Sequence, residues 1–262
     1  MKRIRLLIFI LFASTVLFGQ DINEKDFEEL NRLKEWHLEF KDNCTRNWKS
    51  KWFLDGLRAV VTNTKDGMVF SAGSVDGDDA CHAVLWTKDS FKGDIKIEYR
   101  YTRTDTRTQR VNILYIQATG TGIGPYSKDI SEWNNLRIIP YMKTYYQNMN
   151  TLHISYAAYS GDGGIDYVRA RKYPVAPGQR FSTTTEIPPA SFDTGLFIPG
   201  VSYKVTVIKT NKKLYFKVEG QGVSKLFSWD ITNFQPVTGG RVGLRHMYTR
   251  SAMYKGFKIY TK

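Results

Sequence analysis

Three of the four histidines lie in strand-like runs beside aromatic residues, and one tyrosine occupies a similar run. These residues are His82, His153, His246 and Tyr115. In β-elimination on a uronic acid, a base removes the C5 proton and an acid protonates the leaving oxygen, and His or Tyr can fill either role. We therefore treat these four as candidate catalytic residues. A lone histidine on a strand is more often structural, and Tyr115 fits a core aromatic position equally well.

β-Elimination also needs a group that neutralises the substrate carboxylate, and Arg245 or Gln117 would serve. Tyr115 and Gln117 alternate along one run, so both are expected on the same side of a strand. Trp86 and Tyr156 would complete the substrate contacts, because aromatic rings can pack on sugar faces. For Tyr156, as for Tyr115, the alternative interpretation is a core position.

A second basic and aromatic run predicts a binding surface for a polyanion. Arg169 and Arg171 alternate, so they project to one face together with Tyr167 and Tyr173. Guanidinium groups bind carboxylate or sulfate through paired hydrogen bonds. The alternative is a solvated edge strand that its charges protect from aggregation.

Carboxylate pairs would indicate a glycosidase, but the sequence contains no Glu-x-Asp-x-Glu run that would place several acids on one strand face. A hydrolase would have to draw on separate acids, such as Glu98, Asp105 and Asp166. This interpretation stays open as an alternative to β-elimination.

Metal and nucleic-acid signals are weak. Asp76, Asp78 and Asp79 form an acidic turn that calcium could use, although the spacing is not that of an EF-hand and a plain turn fits as well. No histidine and cysteine cluster has the spacing of zinc ligands. The sequence shows no nucleic-acid-binding motif. We expect no cofactor, with structural calcium as the one candidate metal.

The elements that must position these residues are strands. Runs rich in Val, Ile, Tyr, Phe and Thr alternate in polarity and are separated by clusters of Gly, Asp, Asn and Pro. Val201–Thr210 and Lys213–Glu219 are joined by Asn211-Lys212, a hairpin signal. This pattern predicts an all-β fold, a jelly-roll sandwich of two antiparallel sheets. Ile130–Asn150 interrupts the alternation and predicts a short helical insertion packed beside the sheets.

The N-terminal region predicts export. Residues 1–19 combine three basic residues, an apolar run and small residues near a cleavage point, which is typical of a secretory signal peptide. Residues 20–35 form a charged leader, with a short helix predicted over Asp21–Lys34, and residues 36–262 form a single domain. No further stretch is long and apolar enough to span a membrane. Cys44 and Cys81 could form a disulfide in an oxidising compartment or remain buried thiols.

The net charge bears on the partner. Removing residues 1–19, which carry three cations and no anion, leaves a net charge of +10. Such an excess attracts polyanions outside the cell, including acidic polysaccharides. The alternative is that the charge serves only solubility.

Five sequence blocks resemble a bacterial family of unknown function within the concanavalin A-like lectin/glucanase superfamily. The blocks are Trp52–Gly56, His82–Lys88, Asn112–Ala118, His153–Ala158 and Gly243–Met247. The resemblance covers roughly residue 36 to the end. It implies a jelly roll with a concave sheet that can hold a sugar chain, and members that look like components of polysaccharide-utilisation systems. It supplies no agreed reaction.

Together these signals predict an exported, periplasmic or extracellular protein that acts on a uronate-containing or sulfated polysaccharide. A polysaccharide lyase acting by β-elimination is the first hypothesis. A glycoside hydrolase on the same fold is the second, and a non-catalytic carbohydrate-binding protein is the third.

Overall fold

The computed structural model describes residues 22–161 and 163–262. The chain divides into two compact units, one ending at Trp36 and the other spanning His37–Lys262. In the first unit, residues 22–31 form helix α1, as the spacing over residues 21–34 predicted. The indole Nε1 of Trp36 donates to the carbonyl of Leu30 at 2.7 Å. The predicted signal peptide, residues 1–19, lies outside the described residues.

The second unit consists of two antiparallel sheets. The first sheet contains β1 (His37–Asp42), β3 (Val60–Thr64), β4 (Gly67–Ser71), β7 (Ile95–Arg103), β12 (Ser202–Lys209), β13 (Lys213–Gly220), β14 (Val223–Asp230) and β16 (Ser251–Thr261). Their order across the sheet is β14-β13-β12-β7-β16-β4-β3, and β1 also pairs with β16.

The second sheet contains β2 (Trp52–Asp55), β5 (His82–Thr87), β6 (Phe91–Lys92), β8 (Asn112–Gly120), β9 (Met149–Tyr159), β10 (Asp166–Tyr173), β11 (Glu186–Phe192) and β15 (Gly239–Met247). Their order is β11-β10-β9-β8-β15-β5-β2, and β6 also pairs with β15. This arrangement confirms the predicted all-β jelly-roll sandwich.

The core lies between the sheets because alternate residues of each strand point inward. Ile97 and Tyr99 of β7, Leu114 of β8 and Val205 of β12 belong to one continuous buried cluster. The predicted hairpin is present as β12 and β13, which pair without a register shift from Lys204 and Glu219 to Lys209 and Leu214. Strand β11 was not predicted, because the pair Pro188-Pro189 is unfavourable within a strand. The pair is tolerated here because β11 lies at the edge of the sheet.

The predicted helical insertion is present between β8 and β9. Its two parts are a 3₁₀ segment, Ile130–Arg137, and helix α2, Met142–Asn148. It forms a second buried cluster with the outer face of the second sheet, in which Trp133 and Tyr145 contribute from the insertion. We call residues 130–148 the roof. The sequence did not indicate that the insertion would cover a sheet face.

Two further features bear on the sequence predictions. Within the described residues, no helix has the length and apolar character needed to cross a membrane. Cys44 and Cys81 are both buried and both free thiols, so the disulfide interpretation is not realised. Burial raises the pKa of Cys44 to about 12, with a smaller contribution from Asp42.

Candidate functional site

Five of the predicted site residues lie together on the outer face of the second sheet. Strand register places Tyr115 opposite His153, while Arg245 lies between Val84 of β5 and Ile113 of β8. His82, Val84 and Trp86 alternate along β5 and share this face. We call the set formed by His82, Trp86, Tyr115, His153 and Arg245 the outer-face cluster. All five side chains are buried beneath the roof.

A glycine allows the aromatic rings of the cluster to stack. Gly243 of β15 is paired with Trp86 on one side and Tyr115 on the other. A Cβ at this position would lie 2.4 Å from the Trp86 ring, so no other residue fits without moving the indole. The Trp86 and Tyr115 rings therefore approach to 5.4 Å between centroids, and Tyr145 of the roof stacks on Tyr115 at 5.9 Å.

Asp55 holds the roof against the sheet. Its carboxylate is fully buried and accepts hydrogen bonds from Trp86 Nε1 at 2.7 Å and from Tyr145 Oη at 2.8 Å. Arg137 of the roof donates through Nε at 2.6 Å, which makes a buried ion pair. Asn134 of the roof adds a further bond. The negative charge of Asp55 is thus matched by Arg137.

Arg245 has no such match. Its Nη2 donates to the Pro140 carbonyl at 2.6 Å and to His82 Nδ1 at 2.7 Å, and its guanidinium lies 4.5 Å from the centre of the Tyr145 ring. Within the part of the chain that the structure describes, Nε and Nη1 have no hydrogen-bond acceptor, and no carboxylate forms an ion pair with this guanidinium. A buried charge left unpaired costs several kcal/mol, so Arg245 is a costly residue for this position.

The contact with Arg245 sets the tautomer of His82. Because Nη2 can only donate, Nδ1 must accept, and the ring proton therefore resides on Nε2. Nε2 has no hydrogen-bond acceptor within the described residues; Asp79 Oδ1 is 3.7 Å away. Burial, followed by the charge of Arg245, lowers the pKa of His82 to about 3. The imidazole is therefore neutral and presents an unused donor.

His153 and Tyr115 are also fixed by their surroundings. The ring nitrogens of His153 bond to the Tyr173 hydroxyl at 2.6 Å and to Ser155 Oγ at 2.7 Å, and burial holds its pKa well below the usual range. The buried Tyr115 hydroxyl lies close to Arg245 and Tyr173, and among the described residues no partner meets the geometry of a normal hydrogen bond. Burial raises the pKa of Tyr115 despite the opposing charge of Arg245, so the phenol keeps its proton.

Three predicted site residues lie elsewhere, in the interior between the sheets. His246 stacks on Phe70 and bonds to the Tyr254 hydroxyl at 2.7 Å, and burial lowers its pKa to about 3. Tyr156 reaches the same Tyr254 hydroxyl at 3.2 Å. Both face away from the outer-face cluster because they occupy the inward positions of β15 and β9.

Gln117 is the third of these residues, and the prediction that it shares a face with Tyr115 is wrong. Its φ angle is +53°, and the β8–β9 register shifts between Ile116 and Thr119, so simple alternation fails there. Its amide accepts from the buried ammonium of Lys209 at 2.9 Å and donates to two backbone carbonyls. Gln117 therefore joins the two sheets.

The predicted basic run on β10 does place its arginines together, but both share one acid. Arg169 and Arg171 approach Glu186 of β11 at 3.1 and 3.5 Å. The Arg169 guanidinium also lies 4.5 Å from the centre of the Tyr167 ring. Arg171 is only 5% exposed and donates to Thr185 Oγ1. This pair is less suited to a polyanion than the sequence suggested.

The three carboxylates of the acidic turn approach different partners. Asp76 pairs with Arg110 and Asp78 pairs with Arg58, each at 2.8 Å, while Asp79 faces His82. The described residues contain no group of three acidic, histidine or cysteine side chains arranged for a metal ion. The carboxylates are thus committed to separate partners.

Sequence reasoning missed Asp55, Arg137 and Tyr145, which build the roofed side of the site. Asp55 carried a signal, since it is an acid at the end of an otherwise apolar strand, Trp52–Asp55. Such an acid is buried only when its charge is paired. No feature of the sequence marked Arg137 or Tyr145 as site residues, because their role depends on the roof folding over the sheet.

Comparisons with known proteins agree with this architecture. The family described as "Domain of unknown function (DUF1961)" matches residues 42–259. Among curated proteins, no relative matches the chain. A protein of unknown function with a galectin-like fold from Bacillus subtilis is similar in structure, with a TM-score of 0.61 and 16% identity over 86% of this chain and 98% of that chain.

Two lectin-type structures are also similar. The exoplasmic/lumenal domain of VIP36, in a Ca2+/Man3GlcNAc-bound form, has a TM-score of 0.56 and 12% identity over 86% of this chain and 90% of that chain. Lectin I-B4 from Griffonia simplicifolia, in a metal-free form, has a TM-score of 0.52 and 7% identity over 84% of this chain and 98% of that chain. At these identities the likeness concerns the fold, which is concanavalin A-like.

Proposed function

The chain belongs to the family described as a domain of unknown function, DUF1961, and we propose that it is a saccharide-binding protein that does not cleave its ligand. The observation that carries the proposal is a group of buried donors on the outer face of the second sheet that have no acceptor in the described part of the chain. They are Nε and Nη1 of Arg245, Nε2 of His82 and the Tyr115 hydroxyl.

The chemistry of these donors suits a sugar. Hydroxyl, ring and carboxylate oxygens of a saccharide accept hydrogen bonds, and polar groups at a few fixed positions beside aromatic walls are typical of small-ligand sites. The rings of Trp86 and Tyr115 supply such a wall. The fold adds support, because the VIP36 domain with the same architecture is bound to Man3GlcNAc.

The ligand reaches the cluster from the His82 end. Asp79, with 42% of its side chain exposed, lies 3.7 Å from His82 Nε2, and the half-buried Tyr248 makes an edge contact with the imidazole. The Pro140 carbonyl, bonded to Arg245, is the nearest part of the roof. Binding therefore requires a displacement of Tyr248 or of the roof around Pro140.

Cleavage by β-elimination finds little support in this arrangement. A base needs a free lone pair, yet Nδ1 of His82 accepts from Arg245 and both ring nitrogens of His153 are engaged. The raised pKa of Tyr115 keeps its proton in place near neutral pH. Of the four residues that the sequence assigned to catalysis, His82 and Tyr115 are better placed as donors to a bound sugar.

A hydrolase is supported still less. Glu98 lies on the first sheet and accepts from Tyr260. Asp105 is paired with Arg103 and Arg250, and Asp166 accepts from Thr194. Each acid is committed to a separate local partner, whereas hydrolysis of a glycosidic bond needs two carboxyl groups on either side of one bond.

The proposed setting is outside the cytoplasm, with a polysaccharide or oligosaccharide as partner. It rests on the signal-like segment at residues 1–19 and on the net charge of +10 that remains without it.

The test is a titration of the full mature chain against a broad panel of neutral, uronate and sulfated oligosaccharides. Calorimetry measures binding, while absorbance of unsaturated uronates and reducing-end release measure cleavage. We expect saturable binding of at least one saccharide with the ligand recovered intact. Cleaved product would overturn the non-catalytic proposal, and an absence of binding across the panel would overturn saccharide binding itself.

A further inference from the structure

We propose that Arg245 binds a saccharide carboxylate, so that the ligand is a uronic-acid sugar. This inference rests on the proposed saccharide binding and names the class of sugar.

The charges on the outer face of the second sheet lead to this conclusion. Four of its arginines have acidic partners: Arg137 pairs with Asp55, Arg241 with Asp129, and Arg169 and Arg171 share Glu186. The separations range from 2.6 to 3.5 Å. Among the described residues, Arg245 is the arginine on this face that forms no ion pair, and it is also fully buried. These five arginines exceed the three acids by two positive charges, and Arg245 is the one of the five that has no acidic partner among the described residues.

Asp55, the acid beneath the roof, cannot supply the missing charge. Asp55 is bonded to Arg137, Asn134, Trp86 and Tyr145. Tyr145 directs its hydroxyl to Asp55 while its ring lies against the Arg245 guanidinium, so a ring separates the two charges. Asp79 lies beside His82 and, like the other acids of the described residues, forms no ion pair with Arg245, so we assign the missing anion to the ligand.

The donors beside Arg245 favour a ligand group that accepts hydrogen bonds and also carries a negative charge. His82 presents a protonated Nε2, Tyr115 a protonated hydroxyl, and Arg245 two further nitrogens. None of these atoms needs a donor from the ligand. A carboxylate accepts only, and it offers two oxygens in a plane. A neutral sugar hydroxyl would satisfy one donor and leave the guanidinium charge uncompensated in a buried site.

The test varies the ligand and leaves the protein unchanged. Tetramers of galacturonic, glucuronic, mannuronic and guluronic acid are titrated beside their carboxyl-reduced neutral counterparts and a sulfated form of each neutral tetramer, all at one ionic strength. We expect at least one uronate to bind about tenfold or more tightly than its reduced counterpart.

A protein variant shows whether Arg245 is responsible for the preference for the acid over the reduced sugar. Arg245→Gln should bring the affinity ratio of acid to reduced sugar close to one. Lys255→Gln, which removes an exposed charge from the first sheet, should leave the ratio unchanged. If circular dichroism shows that Arg245→Gln does not fold, the comparison of acid and reduced ligands on the unaltered chain tests the inference by itself.

The outcomes separate the two proposals. Equal binding of the acid and the reduced sugar overturns the carboxylate inference and leaves saccharide binding intact. Tighter binding of the sulfated form than of the uronate also overturns it. Binding of none of the three forms, together with none from the broader panel, overturns saccharide binding itself.

Discussion

Replacing Tyr115 by Phe separates a binding role from a structural one. The substitution keeps the ring that stacks with Trp86 and with Tyr145 and removes only the hydroxyl. That hydroxyl is buried, and within residues 22–161 and 163–262 it has no hydrogen-bond partner of normal geometry. A hydroxyl present only for structure would be bonded, as most buried polar groups are.

The magnitudes follow from this environment. An unsatisfied buried polar group costs about 1–3 kcal/mol, so Tyr115→Phe should leave the free energy of unfolding unchanged or raise it by about 1 kcal/mol. A hydrogen bond to a bound sugar contributes about 0.5–1.5 kcal/mol. Its loss should raise the dissociation constant by about two- to tenfold.

Urea denaturation and calorimetric titration measure the two effects on the same preparation. Tyr156→Phe is the matched control, because its hydroxyl contacts Tyr254 at 3.2 Å in the interior between the sheets. The control should lose about 0.5–1.5 kcal/mol of stability and keep its affinity. If Tyr115→Phe is destabilised while its affinity is unchanged, the assignment of this hydroxyl to the ligand is refuted.

Three other predictions concern the frame of the site. Asp55→Asn should lower the free energy of unfolding by about 3–5 kcal/mol, because it leaves a buried guanidinium unpaired; a loss under 1 kcal/mol in urea would contradict this. His82 and His246, with pKa values near 3, stay neutral while unfolded imidazoles protonate below about pH 6.5. The unfolded state then binds more protons, so the free energy of unfolding should fall on acidification from pH 6.5 by roughly 1.4 kcal/mol per pH unit for each histidine. The exposed control His37→Gln should keep that slope. A free energy of unfolding that does not change with pH would contradict the burial of the two imidazoles. Lys209→Met should lower the free energy of unfolding by about 1–3 kcal/mol, since three acceptors lose their donor. The saccharide affinity should stay unchanged. An altered affinity would show that the contact between the sheets influences the site.

The sequence determined the architecture well because alternation is a local signal. Strands such as β7 carry inward Ile97 and Tyr99 at every second position, and the short β12–β13 connection reads directly as a hairpin. The same alternation accounts for His82 and Trp86 on one face of β5. The spacing of its apolar residues predicted a helix in the roof. The position of the roof over the sheet depends on contacts with Asp55, which is far from the roof in the sequence.

The site was predicted less well than the fold, for two physical reasons. A bulge reverses alternation without a clear mark in the sequence, and this is why Gln117 turns away from Tyr115. Burial is also a property of the whole fold. Nothing near His153 or His246 shows that roof and sheets would remove both imidazoles from solvent and commit their nitrogens to other side chains.

The most direct test of saccharide binding at this face follows the tryptophan indole N–H signals by NMR. Trp86 donates its indole proton to Asp55 beside the proposed ligand, whereas Trp229 donates to Pro189 at a distant strand edge. Titration with the tightest-binding saccharide should shift the Trp86 signal in step with saturation and leave the Trp229 signal in place. An unmoved Trp86 signal at full saturation would contradict the account, because the sugar would then occupy another surface.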